Sequence, residues 1–384
     1  MRYLSLYIHF FVYYISIGIS TFVPKFYGEI GMTDGQIGVL TSVPTLVALA
    51  FTPLLGQLTD RVSKKRYLLA ALLLVMTAFC MVITPRLSFL LMLAAVSGYS
   101  ICSTSIQPMA TTIALEYTRE IHRPYGPIRL LGTVGYQAGA LLVGYLLSES
   151  LGSLYPLIGV VTLITCAATF MMPNVEGHQH HRKKVPLTRL FADRHVRWLY
   201  LIIFLATVSS QFYASFFTKH LGDLGMDNAS VSWITMFSVM LELPFLYFGD
   251  RIARRTNVWN WLIIGMLCNG VRWLGLAFCK SPLPIILFQL PGVTVLACFE
   301  FFPALYLTRR VAPELSGSAQ SMLTLTTFGA AKIVGSLIGG QICERTGIPA
   351  LFAFNGAMLL VLVVVLWKIT RRLVSTETVL VLGD

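Results

Sequence analysis

Five ionisable residues lie inside long apolar stretches of this sequence, where an unpaired charge is costly. They are Arg129, Glu242, Arg272, Glu300 and Lys332. A charge at the centre of a bilayer costs at least ~2.5 kcal/mol, so such residues are candidates for binding a solute or carrying a proton. A carboxylate alone among apolar side chains takes up a proton readily, which suits Glu242 and Glu300 to proton transfer. The alternative is that these acids are neutralised by Arg272 or Lys332 in structural ion pairs.

Arg129 begins a line of side chains that could hold a polar solute. Thr133 and Tyr136 follow it at i+4 and i+7, so the three share one face of a helix. A guanidinium donates hydrogen bonds, and an aromatic ring offers a stacking surface. The alternative is that Arg129 snorkels to the cytoplasmic interface. Close packing of this helix on a neighbour is predicted by its glycines, which are Gly132, Gly135, Gly139 and Gly144.

Two further helix faces are polar and could line a water-filled cavity. Their residues are Ser100, Thr104, Gln107 and Thr111 on one face, and Gln211, Ser215 and Thr218 on the other. Hydrogen bonding between helices is the alternative explanation. Glu116 is a less central candidate, because it lies near the end of its apolar stretch.

The elements that carry these residues are membrane-spanning helices. The 384 residues are 56% hydrophobic and 12% charged, and apolar runs of about 20 residues recur along the chain, each long enough to cross a bilayer. We predict an all-α membrane protein of twelve transmembrane helices in two six-helix bundles, residues 1–173 and 197–384, joined by a cytoplasmic linker, 174–196. The predicted spans are 3–27, 36–58, 67–84, 88–113, 127–148, 153–172, 197–219, 230–248, 258–278, 283–307, 316–341 and 349–369.

Charge orients these helices. The net charge of +12 arises largely from lysines and arginines in alternate loops, which places those loops and both termini in the cytoplasm. Nucleic acid is therefore not needed to explain the basic residues. We expect a multi-pass protein of the plasma membrane, the bacterial cytoplasmic membrane in particular, with no cleavable signal peptide. We expect no metal site and no cofactor, since no phosphate-binding loop or metal-ligand spacing occurs.

The two predicted bundles share a loop pattern. "GQLTDRVSKKR" follows the second predicted helix and "YFGDRIARRTN" follows the eighth, which indicates an internal duplication. An ion-paired loop that opens and closes would suit a rocking mechanism, and a purely topogenic charge cluster is the alternative. The candidate conformational residues are Gly56, Asp60, Arg61, Asp250 and Arg251.

These motifs resemble those of the major facilitator superfamily. The first loop is similar to the signature loop of that superfamily, with Ser63 in place of its second glycine. "YGPIRLLGTVGY", "GVRWLGLAF" and "LELPF" resemble segments of the branch that contains the nucleoside–proton symporter, the lactose permease and the phenylpropionate permeases. The resemblance implies twelve helices and alternating access for the whole chain.

The resemblance also implies roles for single residues. Arg129 and Tyr136 match substrate-site positions, and Gln211 lies in a similar stretch of the seventh helix. Glu242 resembles a substrate-binding acid and Glu300 a titratable one, although these two roles could be exchanged or shared. Arg272 resembles a member of the proton-coupling network. We predict that Glu300, Arg272 and Lys332 form this network, in which Lys332 could pair with Glu300, or it could instead attract an anionic substrate. The histidine and glutamate of the lactose permease pattern are absent from "QLPGVT", so coupling cannot follow that pattern residue for residue.

The predicted function is transport, not catalysis. We expect a proton-coupled symporter, acting as a monomer, that imports a small polar organic solute such as a nucleoside or sugar. Aromatic-acid uptake by the same branch, drug efflux by proton antiport and a non-transporting receptor are the alternatives. Its expected partners are the solute, protons and the lipid bilayer.

Overall fold

The computed structural model describes residues 2–62, 64–173, 187–247 and 257–376. The described side chains exclude those of Gly56, Asp60, Arg61 and Glu242, and Asp250 and Arg251 lie outside the described residues. The chain forms two compact units. The first comprises Met1–Arg182 and Leu221–Trp233, and the second comprises Lys183–His220 and Ile234–Asp384.

The described chain is helical almost throughout. Its first nine α-helices are α1 (Arg2–Ser20), α2 (Val23–Glu29), α3 (Asp34–Arg61), α4 (Lys65–Val82), α5 (Phe89–Glu120), α6 (Gly126–Leu146), α7 (Leu154–Phe170), α8 (Arg194–Asp223) and α9 (Asn228–Tyr247). Within the first unit α1 packs along α6 and α7, α3 packs on α5, and α4 packs on α5 and α7.

The remaining helices are more broken. They are α10 (Val258–Phe278), α11 (Pro282–Gln289), α12 (Thr294–Leu296), α13 (Phe302–Arg310), α14 (Pro313–Thr324), α15 (Ala331–Thr346) and α16 (Ile348–Thr376). A 3₁₀ turn, Leu290–Val293, and a π turn, Ala297–Phe301, interrupt the predicted span 283–307. A second π turn, Leu325–Ala330, interrupts the predicted span 316–341. In this unit α10 packs along α16.

Local sequence signals set several helix ends. Thr33 caps α3 by accepting a hydrogen bond from the Gln36 amide at 3.2 Å, and the Gln36 side chain accepts one from the Thr33 amide at 3.0 Å. Asn257 caps α10 through the Trp259 amide at 2.9 Å. Gly31 turns the chain between α2 and α3 with φ of +83°, a backbone conformation that favours glycine.

Membrane-length helices account for most of the described chain. Ten stretches of the described residues are long and apolar enough to cross a bilayer. The shorter apolar stretch Asn228–Leu241 lies at the eighth predicted span, and α6 lies at the fifth. The predicted span 3–27 is divided into α1 and α2 at a turn before Pro24.

Candidate functional site

The predicted site residues fall into two groups, one in each unit. Arg129, Thr133 and Tyr136 lie on α6 in the first unit. The second unit holds Gln211 on α8, Arg272 on α10, Glu300 in the first π turn and Lys332 on α15.

Arg129 lies against an aromatic ring of a neighbouring helix. Its guanidinium carbon is 4.7 Å from the ring centroid of Tyr14 on α1, while the arginine side chain itself is exposed. The Tyr14 hydroxyl accepts a hydrogen bond from the Gln107 amide of α5 at 3.0 Å. The ring therefore orients Arg129 by a cation–π contact and leaves its N–H groups able to reach a solute.

Glycines allow the two helices that carry this cluster to approach at backbone distance. A Cβ added to Gly135 would lie 2.2 Å from the Phe11 carbonyl oxygen, and one added to Gly139 would lie 2.1 Å from the Ile15 oxygen. The predicted close packing of α6 is confirmed: α1 is the partner at Gly132, Gly135 and Gly139, and the start of α9 is the partner at Gly144. The contact brings Tyr14 beneath Arg129, because a Cβ on Gly132 would meet the Tyr14 ring at 3.1 Å.

The rest of the predicted α6 line is more buried than Arg129. Thr133 and Tyr136 are half-buried, and the Tyr136 hydroxyl lies 3.1 Å from the Thr21 hydroxyl at the end of α1. Arg129 thus contacts α1, and Tyr136 contacts the residue that follows it. The packed helices α1 and α6 therefore position both ends of the Arg129–Tyr136 face.

Arg272 is the centre of the second group. It is 3% exposed, and its Nη2 donates to the Gln289 side-chain oxygen and to Ser238 Oγ, the latter at 3.4 Å. The Gln289 oxygen also accepts from Ser238 Oγ at 3.3 Å and from the Tyr213 hydroxyl at 3.4 Å. One neutral amide oxygen thus gathers donors from α8, α9 and α10.

Aromatic faces complete the enclosure of this arginine. The Arg272 guanidinium carbon lies 4.4 Å from the Tyr213 ring centroid and 4.8 Å from that of Trp273. The Trp273 indole in turn donates to Ser209 Oγ at 2.8 Å. A Cβ on Gly292 would lie 2.6 Å from Nη1, so glycine in the 3₁₀ turn leaves the space that the guanidinium occupies. Among the described side chains no carboxylate pairs with Arg272.

The two remaining charged candidates lie at irregular turns of membrane helices. Glu300 is half-buried in the π turn Ala297–Phe301. Lys332 is half-buried in the first turn of α15, directly after the π turn Leu325–Ala330. Single π turns inside α-helices are frequent at functional sites. The ion pair suggested between Glu300 and Lys332, one of two alternatives for this lysine, stays a prediction.

Gln211 connects α8 to the second π turn. Its amide nitrogen donates to the Thr327 carbonyl oxygen at 3.3 Å, and a Cβ on Gly335 would lie 2.9 Å from Gln211 Cβ. On the next turn Ser215 and Ser336 join α8 to α15 through their hydroxyls, 2.9 Å apart. For Ser215 the structure therefore favours hydrogen bonding between helices over a cavity wall.

Several candidates have other surroundings than a central site. Glu116 is paired with Lys65 at 2.8 Å near the start of α4, which makes it a structural ion pair at the helix ends. Glu242 lies on α9, but its side chain is outside those described, as are the side chains of Gly56, Asp60 and Arg61 on α3. The loop residues Asp250 and Arg251 lie outside the described residues.

Tyr14 and Gln289 are site residues that sequence reasoning missed. Tyr14 carried a weak signal, since it lies in an aromatic-rich first helix. Gln289 begins "QLPGVT", a segment whose sequence predicts only that the histidine and glutamate of the lactose permease pattern are absent. Both act through partners that are distant in sequence.

Membrane-length helices with ionisable side chains inside them are typical of polytopic membrane transport proteins. Comparison with known proteins identifies the family. A sequence model of the MFS_1 like family matches residues 3–354, and the chain belongs to that family. It is a multi-pass membrane transporter of a bacterial-type permease family and not an enzyme.

Relatives and solved structures agree with this assignment. The chain is 26% identical over 348 residues to the maltose permease of Geobacillus stearothermophilus, covering 90% of this chain and 88% of that protein. It is 26% identical over 298 residues to the sucrose permease of Escherichia coli, covering 68% of each. The crystal structure of the nucleoside transporter NupG shares the fold with a TM-score of 0.84, at 18% identity, over 96% of this chain and 98% of that one.

Proposed function

We propose that the protein is a proton-coupled symporter that imports a small polar organic solute by alternating access. It has twelve transmembrane helices in two six-helix bundles, and both termini are cytoplasmic. The proton gradient drives it without a cofactor, and the monomer is the working unit. Its relatives named as maltose and sucrose permeases, together with the fold of NupG, support sugars and nucleosides as the first solutes to test.

The observation that carries the proposal is the position of Glu300. Glu300 lies in a π turn within a membrane-length helix. The apolar surroundings disfavour the ionised form of its carboxyl group, and the π turn departs from the regular α-helical hydrogen-bond pattern. Such a group is suited to binding a proton on one side of the membrane and releasing it on the other. In this proposal Arg272, on α10, which packs against the π turn of Glu300, supplies positive charge to the coupling region.

The proposed solute site combines hydrogen-bond donors with aromatic rings. Arg129, braced on Tyr14, offers an exposed guanidinium beside an aromatic surface, and Tyr136 lies two turns further along α6. Sugars and nucleosides present both hydroxyls and flat or apolar faces, which such a surface matches. In the second unit Gln211 and Glu242 complete the proposed substrate set.

The test is the external pH of a lightly buffered, de-energised suspension of cells that express the protein. Addition of a transported solute alkalinises the medium, because protons enter with it. Glu300→Gln is expected to abolish this change while solute counterflow continues. Glu344→Gln, a matched exposed site on α15, serves as the control and is expected to behave as the wild type.

Two results would contradict the proposal in different ways. Alkalinisation that persists in Glu300→Gln would remove that residue as the proton carrier. Acidification on addition of a lipophilic compound would indicate proton antiport, and therefore efflux instead of uptake.

A further inference from the structure

Lys332 is a membrane-embedded cation with no partner among the residues that the structure describes. No hydrogen bond or ion pair of its side chain is found within those ranges. The side chain is half-buried on a helix whose span lies within Ser318–Thr346. An ammonium group at that depth is costly unless an acceptor neutralises it, so a missing anionic partner is implied.

The position of Lys332 on α15 brings it to the α8 side of the helix. Gly335 and Ser336 follow it at i+3 and i+4, and both contact α8, through Gln211 Cβ and the Ser215 hydroxyl respectively. Residues three and four apart lie on one helix face, so Lys332 shares the face that meets α8. Its Cβ tilts toward the helix N-terminus and thus toward the π turn to which Gln211 is bonded.

Gln211 and Lys332 both carry N–H groups that donate no hydrogen bond to a described residue. The Gln211 amide nitrogen carries two hydrogens, of which one is donated to the Thr327 carbonyl. The second hydrogen and the three of the Lys332 ammonium remain available. An ionised carboxylate is an acceptor-only group with two oxygens, and it complements such donors in both charge and hydrogen bonding.

The charge count favours a monoanion. One lysine provides one compensating charge, whereas Arg272, the other membrane-embedded cation among the described candidates of this unit, already has its Nη2 engaged by Gln289 and Ser238 beside two aromatic rings. A phosphate dianion would bring more charge than the single ammonium offsets. A carboxylate on a small organic solute matches it.

We propose that Lys332 and the Gln211 amide form the carboxylate-binding subsite of this transporter, and that its solute is an organic monocarboxylate. The proposal rests on the transport function proposed above and narrows its substrate class. Lys332 thereby acts on the substrate and not as a proton carrier.

The test compares solutes that differ only in the acidic group. Thermal unfolding of the purified full-length protein in detergent is measured with 3-phenylpropionate against 3-phenylpropionamide, and with glucuronate against glucose. A ligand that binds the folded state raises the unfolding temperature in proportion to its occupancy. We expect a carboxylate to stabilise the wild type and its neutral counterpart to do so much less.

Variants at Lys332 assign the effect to the site. Lys332→Gln is expected to weaken carboxylate binding by about 30-fold or more, as for truncation of one partner of a buried charge pair. The same variant should shift the ratio of binding toward the neutral amide, a change that general loss of stability would not produce. Lys332→Arg retains the preference for the acid, and Lys368→Gln, at an exposed position of α16, leaves it unchanged.

Three outcomes would overturn the subsite: equal stabilisation by both members of each pair, no stabilisation by either carboxylate, or unaltered binding in Lys332→Gln. Failure of the transport proposal is distinguishable. A neutral sugar that alkalinises the medium equally in the wild type and in Lys332→Gln rejects the subsite and retains symport. Carboxylate binding that depends on Lys332, with no proton movement for any solute, retains the subsite and rejects symport.

Discussion

Replacement of Gln289 by leucine tests whether one neutral amide holds the buried arginine of the second unit. The variant removes the acceptor of hydrogen bonds from Arg272, Ser238 and Tyr213 at nearly constant side-chain volume. A hydrogen bond to a charged group contributes ~1.5–3 kcal/mol and the two long hydroxyl bonds less, so we expect a loss of about 3 kcal/mol. Arg272 would keep only the 3.4 Å contact with Ser238 and its aromatic contacts.

The measurement is thermal unfolding in detergent, followed by tryptophan fluorescence, with two comparison variants. Gln320→Leu removes an amide that donates only to neutral acceptors, at 2.7 and 3.0 Å, and should cost about 1–2 kcal/mol. Gln289→Glu keeps an acceptor for Arg272 and should unfold well above Gln289→Leu. If Gln289→Leu were no less stable than Gln320→Leu, the amide would not be what holds Arg272.

Three further predictions concern the first unit and the surroundings of Asp193 in the second. Arg129→Ala should abolish solute binding with normal expression, and normal transport by this variant would return Arg129 to a snorkelling role. Gly135→Ala should sharply reduce the yield of monodisperse protein, since its Cβ would meet a backbone oxygen at 2.2 Å, whereas Gly126→Ala, which meets nothing within 4 Å, should not. Burial raises the pKa of Asp193, but the bonds that it accepts from Arg310, at 2.6 and 3.3 Å, and from a backbone amide outweigh burial and lower that pKa overall. Its stabilisation is therefore complete above the unfolded carboxyl pKa of ~3.9 and is lost on acidification below it. The difference in unfolding temperature between the wild type and Asp193→Asn should be constant from neutral pH to about pH 5 and shrink toward pH 3.

Long apolar runs located most of the helices because the bilayer imposes one strong requirement on them. A segment in lipid must satisfy its own backbone, so a long apolar run has few structures open to it. The close packing of α6 on another helix was also predictable from the α6 glycines, since small residues mark helix interfaces in membranes. The partner helix was not predictable, because nothing local to Gly135 or Gly139 points to α1.

The candidate site was predictable in its charges but not in their partners. Arg129, Arg272 and Lys332 stand out in any apolar stretch. What surrounds them depends on residues far along the chain: Tyr14 lies on another helix, and Gln289 is a neutral residue with no signal of its own. Glu116 shows the same limit, because its partner Lys65 lies 51 residues earlier.

The two π turns have a consequence for the phase of the helices that contain them. A π turn holds one more residue than an α turn, and one residue corresponds to about 100° of rotation about the axis. Residues after Phe301 and after Ala330 are therefore rotated relative to an uninterrupted helix that began before the turn. The face that Lys332 presents is thus set by an inserted residue two to seven positions upstream. Deletion of one residue within Leu325–Ala330 would turn the ammonium to a different neighbour while Lys332 itself is retained.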